Sequence, residues 1–190
     1  MFDLAGMRKT GKRIANEVIE VFEEGLDEPV SDSLLIHQVN TVKLPLRRVT
    51  MTERAQAARQ IKQYLDEHPG DVNYNTSAML QVYMGVINRF KLQELLDVIP
   101  CEIHTIRLGN IAFASNPFEL FLDYGNQIRA RSKAEQTFLV QLANGAEGYL
   151  PTEKAERGGH YSAFVGSGQV GHVGGEQLVR ETLTDINAMF

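Results

Sequence analysis

Four places in this 190-residue chain hold residue types that could do chemistry: five histidines, one cysteine, a glycine-rich tail and an acid beside a helix start. No two histidines have the i, i+4 helical or short-loop spacing by which metal sites are recognised. His37 and His104 fall in strand-like runs, His68 at a helix end, and His160 and His172 in a loop-like region near Glu176. A metal site made from this chain's histidines alone is therefore not expected. Cys101 lies in an apolar, strand-like run. A buried thiol is the ordinary state of such a residue, and a nucleophile the exceptional one.

Gly166-Ser-Gly168-Gln-Val-Gly171 matches the pattern G-x-G-x-x-G. A dinucleotide site needs more: a preceding strand, a following helix whose N-terminus receives the pyrophosphate, and an acid about 20 residues on. Here His172-Val-Gly174-Gly175 follows, which is poor helix, and position 190 comes before any second strand. The expectation is an irregular loop over 158–175 that takes no nucleotide. The acid is Glu119, within IRLGNIAFASNPFELF over 106–121. Alone, it is an acid in a first helical turn, complementing the helix dipole by about 0.3–1 kcal/mol.

The elements that must position these residues follow from periodicity. Met7, Ile14, Val18, Val21 and Phe22 have helical spacing between Leu4 and Gly25, with Gly25 and Pro29 as stop signals. Residues 34–49 predict a strand with Val42, Leu44 and Leu46 on one face, and Pro45 marks an edge or an end. Thr50-Met-Thr-Glu53 predicts a capping box and a helix to about Glu67 that buries Ala57, Ile61, Tyr64 and Leu65. His68-Pro-Gly-Asp71 ends it, and a second helix follows over 76–96 with Met79, Val82, Tyr83, Val86 and Phe90 inward. From Pro100 the pattern becomes two short strands, one carrying Ile103, Thr105 and Arg107 and the other Ile111–Ser115, hinged at Gly109-Asn110. A helix over 118–132, a strand over 136–142, a glycine-rich loop over 144–175 and a helix from Glu176 to Met189 complete the chain. The class implied is α/β, a mixed β-sheet layered with helices, in a single domain over 1–190.

Composition narrows the partners. The chain is 43% hydrophobic and 23% charged, enough to bury a core without disulfides. Its net charge of -5 argues against nucleic acid and against an anionic membrane surface. The basic residues Arg8, Lys9, Lys12, Arg13, Arg47 and Arg48 sit among acids and form no long stripe. No run approaches the ~18 apolar residues of a transmembrane segment.

Beyond Glu119 the chain continues through a predicted helix and strand to LANGAEGYLPTE and then GGHY. This order resembles the C-terminal part of the catalytic domain of the neutral/alkaline non-lysosomal ceramidases. The elements are a strand, a helix start like P-G-E, a helix, a strand, an asparagine, then G-Y-x-x-T and a second tyrosine twelve residues later. The resemblance covers residues 103–190, extends to TVKLPLRRVT within 34–52, and is slight over the first helix. It implies that Glu119 in NPFEL and Tyr149 in GYLPT are ligands of a catalytic zinc, and that Tyr161 in GGHY is a catalytic residue. Two positions depart from the family: Phe118 stands where it has glycine before the acid, and Tyr161-Ser162 stands where it has tyrosine-glutamate.

Carboxylate is an ordinary zinc ligand; a tyrosine oxygen is a less usual one and must ionise. Read without the resemblance, Tyr149 is a buried loop tyrosine bonded to backbone. The family's two zinc histidines and serine nucleophile lie upstream of the matched region. The chain is thus expected to be an incomplete, C-terminal portion of a zinc-dependent amidohydrolase. The complete enzyme would cleave the amide of ceramide or another N-acylated lipid. By itself the chain would be inactive and would bind no zinc tightly. The missing N-terminal half would leave an apolar surface, so a homo-oligomer is expected, most simply a two-fold dimer. The alternative is a stand-alone, non-catalytic binding or assembly domain that keeps the fold.

Overall fold

Apolar residues alternate with others along 35–45 and 98–108, which puts every second side chain on one face of an extended strand. The computed structural model describes residues 3–25, 34–70 and 74–190, with the backbone alone at 74–76. In chain order the elements are α1 (Leu4–Glu23), β1 (Leu35–Pro45), α2 (Met51–Glu67), α3 (Tyr74–Leu92), β2 (Val98–Leu108), β3 (Ile111–Ser115) and β4 (Glu119–Leu120). They continue as α4 (Leu122–Arg131), β5 (Gln136–Val140), β6 (Tyr149–Leu150), α5 (Glu153–Gly158) and α6 (His172–Ala188), with 3-10 turns at Tyr161–Ala163 and Val165–Ser167. Two compact units result, Met1–Ser33 and Leu34–Phe190. The first contains α1, capped by the Asp3 side chain, which accepts from the Gly6 amide at 2.6 Å. Pro29 and Asp71, both expected as stop signals, lie outside the described residues.

The second unit is α/β with a mixed sheet of order β1-β2-β3-β5. β1–β2 and β2–β3 are antiparallel, while β3 and β5, joined through α4, are parallel. Helices α4 and α6 cover one face of this sheet. Val42, Leu44, Ile99, Cys101, Ile103, Ala112 and Ala114 point into that core, along with Phe118, Tyr124, Leu178 and Ile186 from the covering segments. Pro45 ends β1, which is an edge strand, in the place where a residue without an N–H does least damage. Among the described residues of this unit, no element covers the opposite face. Leu35, Val39, Val98, Leu108, Phe138 and Val140 point outward there and are 39–67% exposed. The Phe113 and Phe138 rings pair on this face, centroids 5.1 Å apart.

The Thr50–Glu53 capping box is present, with both reciprocal bonds. Four expectations differ. The strand expected from Pro100 begins at Val98 and runs eleven residues, because it pairs with the whole length of β1. Leu65 and Met79 are exposed rather than buried, since α2 and α3 pack on each other as a hairpin beside the sheet. Glu119 lies in a two-residue strand, and its helix starts only at Leu122. The Glu119 and Phe121 amides donate to the Gly148 and Leu150 carbonyls, so the local helical turn gives way to cross-strand bonding. The last helix starts at His172 rather than Glu176, and Gly174 and Gly175 lie inside it. A Cβ on Gly175 would stand 2.3 Å from Tyr124 Oη, and one on Gly174 2.2 Å from Val170 Cγ1. Close packing outweighs poor helix propensity at that turn.

Candidate functional site: the β4–β6 rim

Past Ser115 the parallel alignment of β3 and β5 continues through a gap into β4 and β6. The Asn116 amide donates to Val140 O, Ala143 to Asn116 O, and Glu147 to Pro117 O, all within 2.9–3.0 Å. β4 and β6 then pair in parallel, Glu119 opposite Tyr149 and Leu120 opposite Leu150. Paired residues of adjacent strands share a face, and successive residues alternate. Leu120 and Leu150 point into the core, so Glu119 and Tyr149 share the opposite side and are only partly covered. The structure brings the two predicted ligands together, across strands rather than from a helix start.

Tyr161 reaches the same place from the 3-10 turn, its ring edge-on to that of Tyr149 at 5.5 Å and 73°. The turn is held by Ser167 Oγ donating to Tyr161 O, and the segment lies close because Gly168 bridges to Gly148. Tyr149's phenol is pushed up from 10.0 to about 12, first by hydrogen bonding to the Glu119 carboxylate, then by burial, the Glu119 charge and Tyr161. A phenol is protonated below about pH 10 in any case, and Glu119 moves its ionisation to still higher pH. The three residues offer one carboxylate and two phenolic oxygens at one rim.

The chain matches no family model, and no curated protein matches it.

Among the described residues, no three His, Cys, Asp or Glu side chains gather as a metal cluster. His172 is engaged elsewhere: its Nδ1 is 2.8 Å from Glu156 Oε2, and its amide donates to Glu156 Oε1 at 2.7 Å. A carboxylate thus already sits on the N-terminus of α6, where a pyrophosphate would have to bind. The three glycines of the G-x-G-x-x-G pattern have separate packing roles. Added Cβ atoms would stand 3.2 Å from Gly85 Cα at Gly166, 1.9 Å from Tyr149 O at Gly168 and 2.8 Å from Glu156 Oε1 at Gly171. The loop expected over 144–175 instead contains β6, α5 and two 3-10 turns, and the helix that follows begins at His172.

Sequence reasoning missed two arrangements. Arg89, buried on α3, donates to the carbonyls of Arg47, Gly168 and Gln169 and ties α3 to the segment beside Tyr149. Burial, then the nearby Arg47 charge, lowers its pKa to about 10. The other is a bonded pair, His37 and His104, on adjacent strands. Their separation of 67 positions is invisible to any test of local spacing. Cys101 is buried, and burial pushes its thiol up to about 12, which leaves it a packing residue. Among the described residues, no helix is long and apolar enough to cross a membrane.

Proposed function

We propose that this chain is the C-terminal portion of a zinc-dependent amidohydrolase resembling the neutral ceramidases, cleaving the amide bond of ceramide or another N-acylated lipid. The supporting observation is the pairing of Glu119 with Tyr149 across β4–β6, with Tyr161 against the second of them. This donor set fits part of a zinc shell. Glu119 raises the Tyr149 phenol; a dication taken by both oxygens would act the other way and favour the ionised phenol. Glu119 and Tyr149 would hold the ion, and Tyr161 would offer its hydroxyl to the substrate amide. Zinc, when bound, supplies Lewis-acid polarisation of the scissile carbonyl. Catalytic zinc usually takes three protein ligands, and the imidazoles that this set lacks would come from the N-terminal half. Glu119→Gln and Tyr149→Phe in the complete enzyme should each abolish release of fatty acid while circular dichroism stays unchanged. Turnover that survives both substitutions would remove these residues from the site.

The uncovered sheet face favours a second reading, a stand-alone assembly domain without catalysis. An upstream reading frame in register that encodes a histidine-bearing half separates the two, since only the enzyme needs it. On the first reading that half covers the outward face, and the isolated chain associates through it as a two-fold dimer.

A further inference from the structure

The outward face of the sheet carries a histidine pair. His37 on β1 and His104 on β2 stand diagonally, since the register pairs are His37 with Ile106 and Val39 with His104. His37 Nε2 lies 2.9 Å from His104 Nδ1. The ring planes are within 22° and the centroids 5.1 Å apart, which fits rings meeting end to end along one N–H···N bond. The other nitrogen of His104, Nε2, is 3.1 Å from Glu102 Oε1. The Asn144 amide nitrogen lies 3.0 Å from that oxygen and 2.6 Å from His104 Nε2. Asn144 holds this place at a φ of 58°, a left-handed conformation that asparagine tolerates better than most residues.

The order of these bonds matters. Glu102 Oε1 would accept from Nε2 whereas the Asn144 amide would donate to it, so the two neighbours favour opposite tautomers. In either tautomer one proton lies between His37 Nε2 and His104 Nδ1, and that proton is what a metal cation replaces on binding. His37 is exposed, so its ring can turn to admit the ion. Glu102 already supplies the carboxylate–imidazole pairing that orients a ligating histidine.

We propose that His37 and His104 form a surface site for a transition-metal dication, with Glu102 and Asn144 as the groups that orient His104. Zinc sites usually draw three or four protein ligands, whereas two imidazoles completed by water suit tetragonal Cu2+ or Ni2+, and Cu2+ heads the affinity order. The site is separate from the Glu119–Tyr149 rim but lies on the outward face through which the isolated chain would dimerise, so binding is measured at a concentration where the chain is monomeric. Its test uses the chain of 190 residues as it stands, titrated with Cu2+ by calorimetry and followed by electron paramagnetic resonance.

One equivalent should bind, with splitting from two nitrogens. His37→Phe and His104→Phe should each weaken binding at least about tenfold, and Glu102→Gln by about tenfold, the usual effect of losing an orienting carboxylate. Because His37 is exposed, its variant remains informative even where the His104 substitution perturbs folding. A Glu119→Gln/Tyr149→Phe variant should bind Cu2+ as the parent does, which keeps this result separate from that of the other site. Equal affinity in the parent and His37→Phe, or a spectrum with fewer than two nitrogens, would overturn the proposal.

Discussion

The two faces of the four-stranded sheet are made from alternate residues of the same strands, yet they differ sharply. Inward, Leu44, Ile103 and Ala112 are no more than 1% exposed beneath α4 and α6. Outward, Leu35, Phe138 and Val140 are also apolar but stand open, with the His37–His104 pair among them. The outward face is mixed, since Thr41, Lys43, Glu102 and Gln136 share it with these apolar residues. The difference separates two things that hydrophobicity alone merges, packing that holds this unit together and apolar side chains left exposed on its surface.

The comparison is tested most strongly by truncation on each side. Phe118→Ala empties a site with 0% exposure and should cost about 3–5 kcal/mol in denaturant unfolding. Phe138→Ala removes an outward ring paired with Phe113 and should cost no more than about 1 kcal/mol. Equal losses would mean that the outward face also stabilises the isolated unit. Gly175→Ala should destabilise by about 1–3 kcal/mol, since its methyl meets the buried Tyr124 ring under α6. Phe138→Glu should instead leave stability near the parent value and shift the isolated chain from dimer to monomer in light scattering. A parent chain that stays a monodisperse monomer at high concentration would remove the association.

The smallest effect is on pH. Cys101, on the covered face, has its thiol raised from 9.0 to about 12 by burial and then the Glu147 charge. The folded state therefore holds a proton that the unfolded state releases first. Its contribution is full below pH 9.0 and is lost as pH rises through about 12. Cys101→Ala should flatten part of that alkaline limb in thermal unfolding measured across this window.

Local chemistry was the most legible part of the sequence. The Thr50–Glu53 box and the Gly109-Asn110 hinge depend on residues within four positions, and both are where they were expected. Long-range packing was not legible. Gly175 reads as a helix breaker because Tyr124, which needs its missing side chain, comes from far away in the chain, while Gly174 leaves room for Val170 only four positions before it. Glu119 was expected in a helix because its partner strand, Tyr149–Leu150, is too short to show periodicity. Its neighbourhood with Tyr149 is implied by the family resemblance, whereas the His37–His104 pair depends on register, which spacing along one chain does not reveal.

The central claim is that the Glu119–Tyr149 rim is the oxygen half of a zinc shell whose imidazole half lies on another segment. Its most direct test is to measure zinc by elemental analysis, and fatty acid released from a ceramide-like amide, for residues 1–190 alone and for the same chain joined to the histidine-bearing half that the proposal requires. The account predicts negligible turnover and weak zinc for residues 1–190, with stoichiometric zinc and turnover in the joined protein. Stoichiometric zinc and turnover from residues 1–190 alone, or a joined protein that has neither, would contradict it.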